Sequence, residues 1–160
     1  MATSPMLTNQ QLKKYSFFKP LTDERAEAII ASAKTTNIPA DTEVLREGQQ
    51  ADNLYLVLEG RLSLAMYVPG RPPEKSIVST ISRGELLGWS ALLPGRMWQA
   101  TARTLKPTRL LVINGAELRA LCDRDHETGY SVMKHVLAVV GQRLTESRLQ
   151  LLDMFAHPDD

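Results

Sequence analysis

Cysteine is almost absent from this chain. A single thiol, Cys122, stands among 160 residues, so no disulfide can close within it and the framework of a small secreted domain is excluded. An excess of one charge is missing too. Nineteen Lys and Arg face eighteen Asp and Glu, and the net charge of +1 creates no field that would recommend a nucleic-acid or anionic-membrane partner. No apolar run approaches the ~20 residues that span a bilayer, and Met1 to Leu7 contain no basic segment leading into an apolar one, so no secretory signal is read. Cytoplasmic localisation without membrane contact is the expectation. Walker A loop, nucleophile elbow, dinucleotide fingerprint and zinc motif are all lacking. His126, His135 and His157 form no metal-ligand spacing with one another or with Cys122. Cys122 shares a helical face with Leu118 and reads as a buried, inert thiol. The expectation is therefore no catalytic residue, no metal site and no enzyme.

What the chain does have is ordinary globular material, 43% apolar and 23% charged, enough for one domain over residues 1–160 with a sizeable core. Residues 1–8 read as loose. A short helix is predicted over Asn9 to Phe18. A second runs over Asp23 to Lys34, with Thr22 as N-cap, acidic residues in its first turn, and Ala26, Ile29, Ile30 and Ala33 at helical spacing. From Asn37 to Ile113 the texture changes to short strands broken by Gly and Pro. The candidates are Val44-Leu45, Leu54 to Leu58, Leu62 to Val68, Ser76 to Ile81, Ala100 to Leu105 and Leu110 to Ile113. So many short strands hide their edges only in a closed or double-sheet antiparallel fold. Asn114 with Glu117 reads as a capping box opening a short helix to Asp123, and a long helix follows from Thr128 to Phe155. Along it Met133, Leu137, Val140, Leu144, Ser147, Leu151 and Met154 make a heptad seam. Val132, Val136 and Val139 form a neighbouring stripe, so one stripe can face the strands and the other a second copy of the helix.

Both of the chain's tryptophans fall in one stretch, Gly84 to Thr101, which reads GELLGWSALLPGRMWQAT. Gly88 precedes a short apolar turn, Trp89 to Leu93. A glycine before such a turn lets the backbone bend sharply and exposes amide donors, here those of Ser90 to Leu92, to an anion.

This stretch resembles the phosphate-binding cassette of the cyclic-nucleotide-binding domain, found in bacterial regulators of the catabolite-activator (CRP/FNR) type and in regulatory subunits of cyclic-nucleotide-dependent kinases. Gly84, Glu85, Leu86, Gly88, Ala91, Leu92, Ala100 and Thr101 carry the match, and Phe17-Phe18 with Leu21-Thr22, Gly48 and Gly60 extend it. The resemblance implies a mainly β fold with flanking helices, a double-stranded β-helix or jelly-roll β-roll of eight strands over 37–113. N-terminal helices would occupy 9–34 and C-terminal helices 114–155. It also implies a non-enzymatic regulatory module. The family's ribose-binding glutamate is Trp89 here, and its phosphate-binding arginine is Trp98. No cofactor is therefore expected, and cyclic AMP and cyclic GMP are disfavoured, because a buried phosphate without its arginine loses a charge-assisted partner.

Arg96 and Arg103 are the candidate substitutes. The candidate pocket comprises Gly88, Trp89, Ser90, Ala91, Arg96, Trp98, Gln99, Ala100 and Thr101, with Ser147 and Arg148 of the long helix where the family meets the base. The indoles either fill the pocket or line an apolar site for a different ligand. A homodimer through Met133, Leu137, Val140 and Leu144 and a protein partner are expected. Only four residues follow the long helix, so no DNA-binding domain and no direct DNA contact are expected.

Overall fold

The computed structural model describes residues 2–3, 7–72 and 76–156. His157 and the three residues after it lie outside this range, as does half of the segment read as loose. Residues 2–3 of that segment form a short strand, β1 (Ala2–Thr3), paired antiparallel with Thr36 and Asn37.

Helix α1 (Asn9–Leu12) is shorter than the pattern predicts. Thr8 caps it and exchanges bonds with Gln11, the Thr8 amide donating to Oε1 and the Gln11 amide to the hydroxyl. A helix continued to Phe18 would put Phe17 well away from the face shared by Leu12, Tyr15 and Phe18, at 100° per residue. The chain instead makes three-residue turns, with Tyr15, Phe18 and Leu21 amides donating to Leu12, Tyr15 and Phe18 carbonyls, and all four side chains are buried. Helix α2 (Asp23–Ile30) starts at Thr22 as expected but ends four residues before Lys34. Ala33 and Lys34 belong to β2 (Ala33–Ile38), which pairs along its whole length with residues 108–113. Pairing along an open strand edge outweighs the good helical propensity of Ala31, Ala33 and Lys34.

The roll continues through β3 (Glu43–Leu45), β4 (Asn53–Glu59), β5 (Arg61–Ala65), β6 (Ile77–Ser82), β7 (Leu86–Leu87), β8 (Thr101–Thr104) and β9 (Thr108–Asn114). Two antiparallel sheets result, ordered β1-β2-β9-β4-β7 and β3-β8-β5-β6. Alternation then sorts the side chains. On β4, Leu54, Leu56 and Leu58 face a core shared with the helices, while Val57 lies between the sheets; on β9, Leu111 and Ile113 face the helices and Leu110 and Val112 the interior. The first sheet is thus buried on both faces, which is why β4 reads as a continuous apolar run. Gly60 joins β4 to β5, and its φ of 108° carries the chain from one sheet to the other.

Helix α3 (Gly115–Arg124) shows the forward half of the expected capping box, the Glu117 amide donating to Asn114 Oδ1 at 2.9 Å. Cys122 is buried, and burial pushes its thiol up. Helix α4 (His126–Ala156) runs 31 residues. No helix among the described residues is long and apolar enough to cross a membrane.

At the α3–α4 junction Asp125 accepts from Thr128 Oγ1 at 2.7 Å and from Arg25 Nε at 2.8 Å. Those bonds, with Thr128 first, hold its carboxyl below the usual range. A depressed carboxylate contributes stability that is complete above its unfolded value of about 3.9 and is lost as pH falls through the lower folded value. Asp125→Asn is expected to flatten that acid limb. The difference in thermal midpoint between pH 6 and pH 3 should shrink relative to wild type, and an unchanged difference would show that this carboxylate does not couple folding to pH.

Candidate functional site

The cassette follows β7. Gly88, at φ 87°, turns the chain into a single 3-10 turn, Trp89–Leu92. A side chain at 88 has no room: a Cβ there would lie 2.9 Å from Asn53 O and from Trp98 Cη2. The Ala91 amide donates to Gly88 O at 3.1 Å. One of the three amides expected to face an anion is therefore spent within the turn. Ala91 itself is buried beside Gly115, and its carbonyl accepts from Arg119 Nη1 at 2.6 Å. Its role is to seat the turn on α3.

The two indoles belong to different layers. Trp98 is 7% exposed and packs between the sheets, 6.4 Å from the Tyr55 ring, with its main chain bonded to Gly48 and Gln49. Trp89 is half-buried on the helix side, and the Arg96 guanidinium lies 5.7 Å from its ring centre.

Between the second sheet, the cassette and α4 lies a cavity of about 200 Å³. Leu45, Leu64, Met66, Val78 and Leu87 give it an apolar wall. The cassette contributes Gly88, Trp89, Ser90, Trp98, Gln99 and Ala100, and α4 closes it with Arg143, Glu146 and Ser147. Seven of the eleven sequence-predicted pocket residues meet here. The other four stand off its walls: Ala91 seats the turn, Arg96 is exposed over Trp89, Thr101 accepts from the Glu47 amide at 3.0 Å, and Arg148 is exposed. Arg103 is exposed and paired with Asp41 at 2.8 Å, so neither candidate substitute arginine reaches the cavity.

The cation in the wall is one that the pattern did not single out. Arg143 donates from Nη2 to Leu86 O at 3.2 Å, while its buried Nε has no hydrogen-bond partner among the described residues. Burial pulls its pKa down, and Glu85 and Glu146 oppose that from a distance. The signal was in the spacing. Val132, Val136 and Val139 continue as Arg143, Glu146 and Gln150 at the same alternation of four and three, so the buried stripe of α4 turns polar where it leaves the core and crosses the cavity. Gln150 Nε2 donates to Val78 O at 2.9 Å, which fixes α4 to the edge strand β6.

The outer stripe is different. Val132 is 1% exposed and Val136 is buried, whereas Leu137 is 72% exposed and Met133, Leu144, Leu151 and Phe155 are exposed along the same line; Val140 is half-buried against the core.

A two-sheet β-roll with a hollow beside a glycine-led turn, closed by a long C-terminal helix, defines a class of regulatory ligand-binding domains. The family model described as the cyclic nucleotide-binding domain matches residues 35–125. The chain belongs to the cyclic nucleotide-binding domain family. Among solved structures it is similar to a protein of Geobacter metallireducens provisionally classed as cyclic-nucleotide-binding, with 32% identity over 87% of this chain and 99% of that one and a TM-score of 0.77. A cyclic nucleotide-binding domain of Methylobacillus flagellatus, 22% identical over 91% of this chain and 81% of that one, shares the fold with a TM-score of 0.75. A provisionally assigned potassium channel protein of Rhodopseudomonas palustris is 28% identical over 116 residues, 72% of this chain. The chain spans about a quarter (26%) of that curated relative.

Proposed function

We propose that this domain is a non-enzymatic regulatory module whose output is the position of α4, read by a second copy of the chain or by a partner protein. One observation carries the reading: α4 is at once a wall of the cavity, through Arg143, Glu146 and Ser147, and the bearer of an exposed apolar stripe. A ligand that binds differently in two placements of the helix shifts that stripe. Cyclic nucleotides are not its ligands in the family's usual way, because the tryptophans occupy the positions of both anchors. Calorimetric titration with cyclic AMP and cyclic GMP should be silent to millimolar concentration, and saturable micromolar heat would overturn this. For the dimer, wild type is expected at twice the chain mass in light scattering and Leu137→Lys/Leu144→Lys at the chain mass with unchanged circular dichroism. A monomeric wild type would leave the stripe to a different protein.

A second reading is favoured by the cavity itself. The indoles line a hollow rather than filling it, and the module then senses a small apolar or aromatic molecule held beside Trp89 and Trp98.

A further inference from the structure

Resting on the sensing reading, we infer that the ligand is a small aromatic monocarboxylate whose charge is taken by Arg143 from α4. Size points first to a single ring. A dry apolar cavity of about 150 Å³ takes benzene, and about 200 Å³ walled by Leu45, Leu64, Leu87 and two indoles suits one ring with a short side chain.

The charge follows from Arg143. Its guanidinium stands in a mostly apolar wall that also carries Ser90, Gln99, Glu146 and Ser147, one nitrogen is given to the Leu86 carbonyl, and the buried Nε has no acceptor among the described residues. Arg143 forms no ion pair there either: the described pairs involve other residues. A partly desolvated cation with an unused buried donor is completed by an acceptor that carries negative charge, and the planar fork suits a carboxylate. Glu146, also in the wall, accepts from Gln142 Nε2 at 3.4 Å along the helix, and its charge opposes an incoming anion. Binding would thus be set by Arg143 against Glu146, two residues of the one helix whose movement is the output.

The probes are phenylacetate and its uncharged counterpart phenylacetamide, titrated into the full chain by calorimetry with tryptophan emission in parallel. Phenylacetate is expected to bind saturably and at least about 10-fold more tightly than the amide, the value of one charge-assisted hydrogen bond. Arg143→Gln should bring that ratio close to one, Arg143→Lys should leave it intermediate, and Glu146→Gln should raise it, with folding verified by circular dichroism. If the amide binds as well as the acid, the cavity remains a ligand site and the role of Arg143 falls. The same role falls if Arg143→Gln folds and keeps the ratio. If neither probe gives heat or an emission change at millimolar concentration, the sensing reading falls with it.

Discussion

Gly60→Ala is expected to cost about 2–6 kcal/mol and to lower the thermal midpoint by roughly 4–24 °C, a large part of the ~5–15 kcal/mol that holds a domain of this size together. Two effects add. At φ 108° a β-carbon is strained by about 1–3 kcal/mol wherever it stands. Here it would also lie 2.6 Å from Thr108 Cα and 2.7 Å from its Cβ, against backbone that is held in β9 by pairing with Ile38 and cannot swing aside. Relieving that overlap separates the sheets at their shared corner, at a further cost of about 1–3 kcal/mol. Gly48→Ala isolates the first effect, because φ is 85° there and nothing lies within 4 Å of the added carbon. Urea denaturation of both variants measures the difference. Equal losses would mean that Thr108 yields and that the corner is held by backbone conformation alone.

The glycine pattern made the roll legible because a left-handed turn leaves few residues to choose from. The inner strands were legible for a related reason: the first sheet is buried on both faces, so Leu54 to Leu58 stand out as an unbroken apolar run. β2 was not legible, since Ala-Lys-Thr-Thr-Asn-Ile has little apolar alternation, and its Thr35 and Thr36 are buried by pairing with β9 rather than by hydrophobicity. The two-residue β7 was hidden inside the cassette for want of length. The site divides the same way. Gly88, Trp89, Ser90, Trp98, Gln99 and Ala100 reach the cavity through chain proximity and Ala91 and Thr101 do not, whereas Arg96 and Arg103, chosen for charge and nearness in sequence, lie exposed over Trp89 and beside Asp41. Arg143 lies 55 positions beyond Gly88 and arrives only through the docking of α4, which no local pattern specifies, although the continued spacing from Val132 to Gln150 marked its face.

The double substitution Trp89→Glu/Trp98→Arg is expected to raise affinity for cyclic AMP by roughly 30- to 4000-fold, the value of about 2–5 kcal/mol for a buried charge pair. Trp98 is the costly half. Its indole is 7% exposed and presses on Gly88 and Tyr55, so truncation to alanine would cost about 3–5 kcal/mol. An arginine stem recovers part of that packing, but the new guanidinium shares the cavity with Arg143. Without an anion the two cations repel, and with one they both serve it, so the variant should be destabilised alone and rescued by ligand. At 100-fold excess over the dissociation constant the rescue is about 2.7 kcal/mol, visible as a rise in thermal midpoint that wild type does not show. Trp98→Arg alone should gain most of the affinity, because the charge sits there, and Trp89→Glu alone little. The cycle of single and double variants gives the coupling between the ribose and phosphate positions directly. A folded double variant that still ignores cyclic AMP would place the exclusion in the cavity's size and in Arg143 and Glu146 rather than in the indoles, which is the outcome the aromatic-acid site would produce.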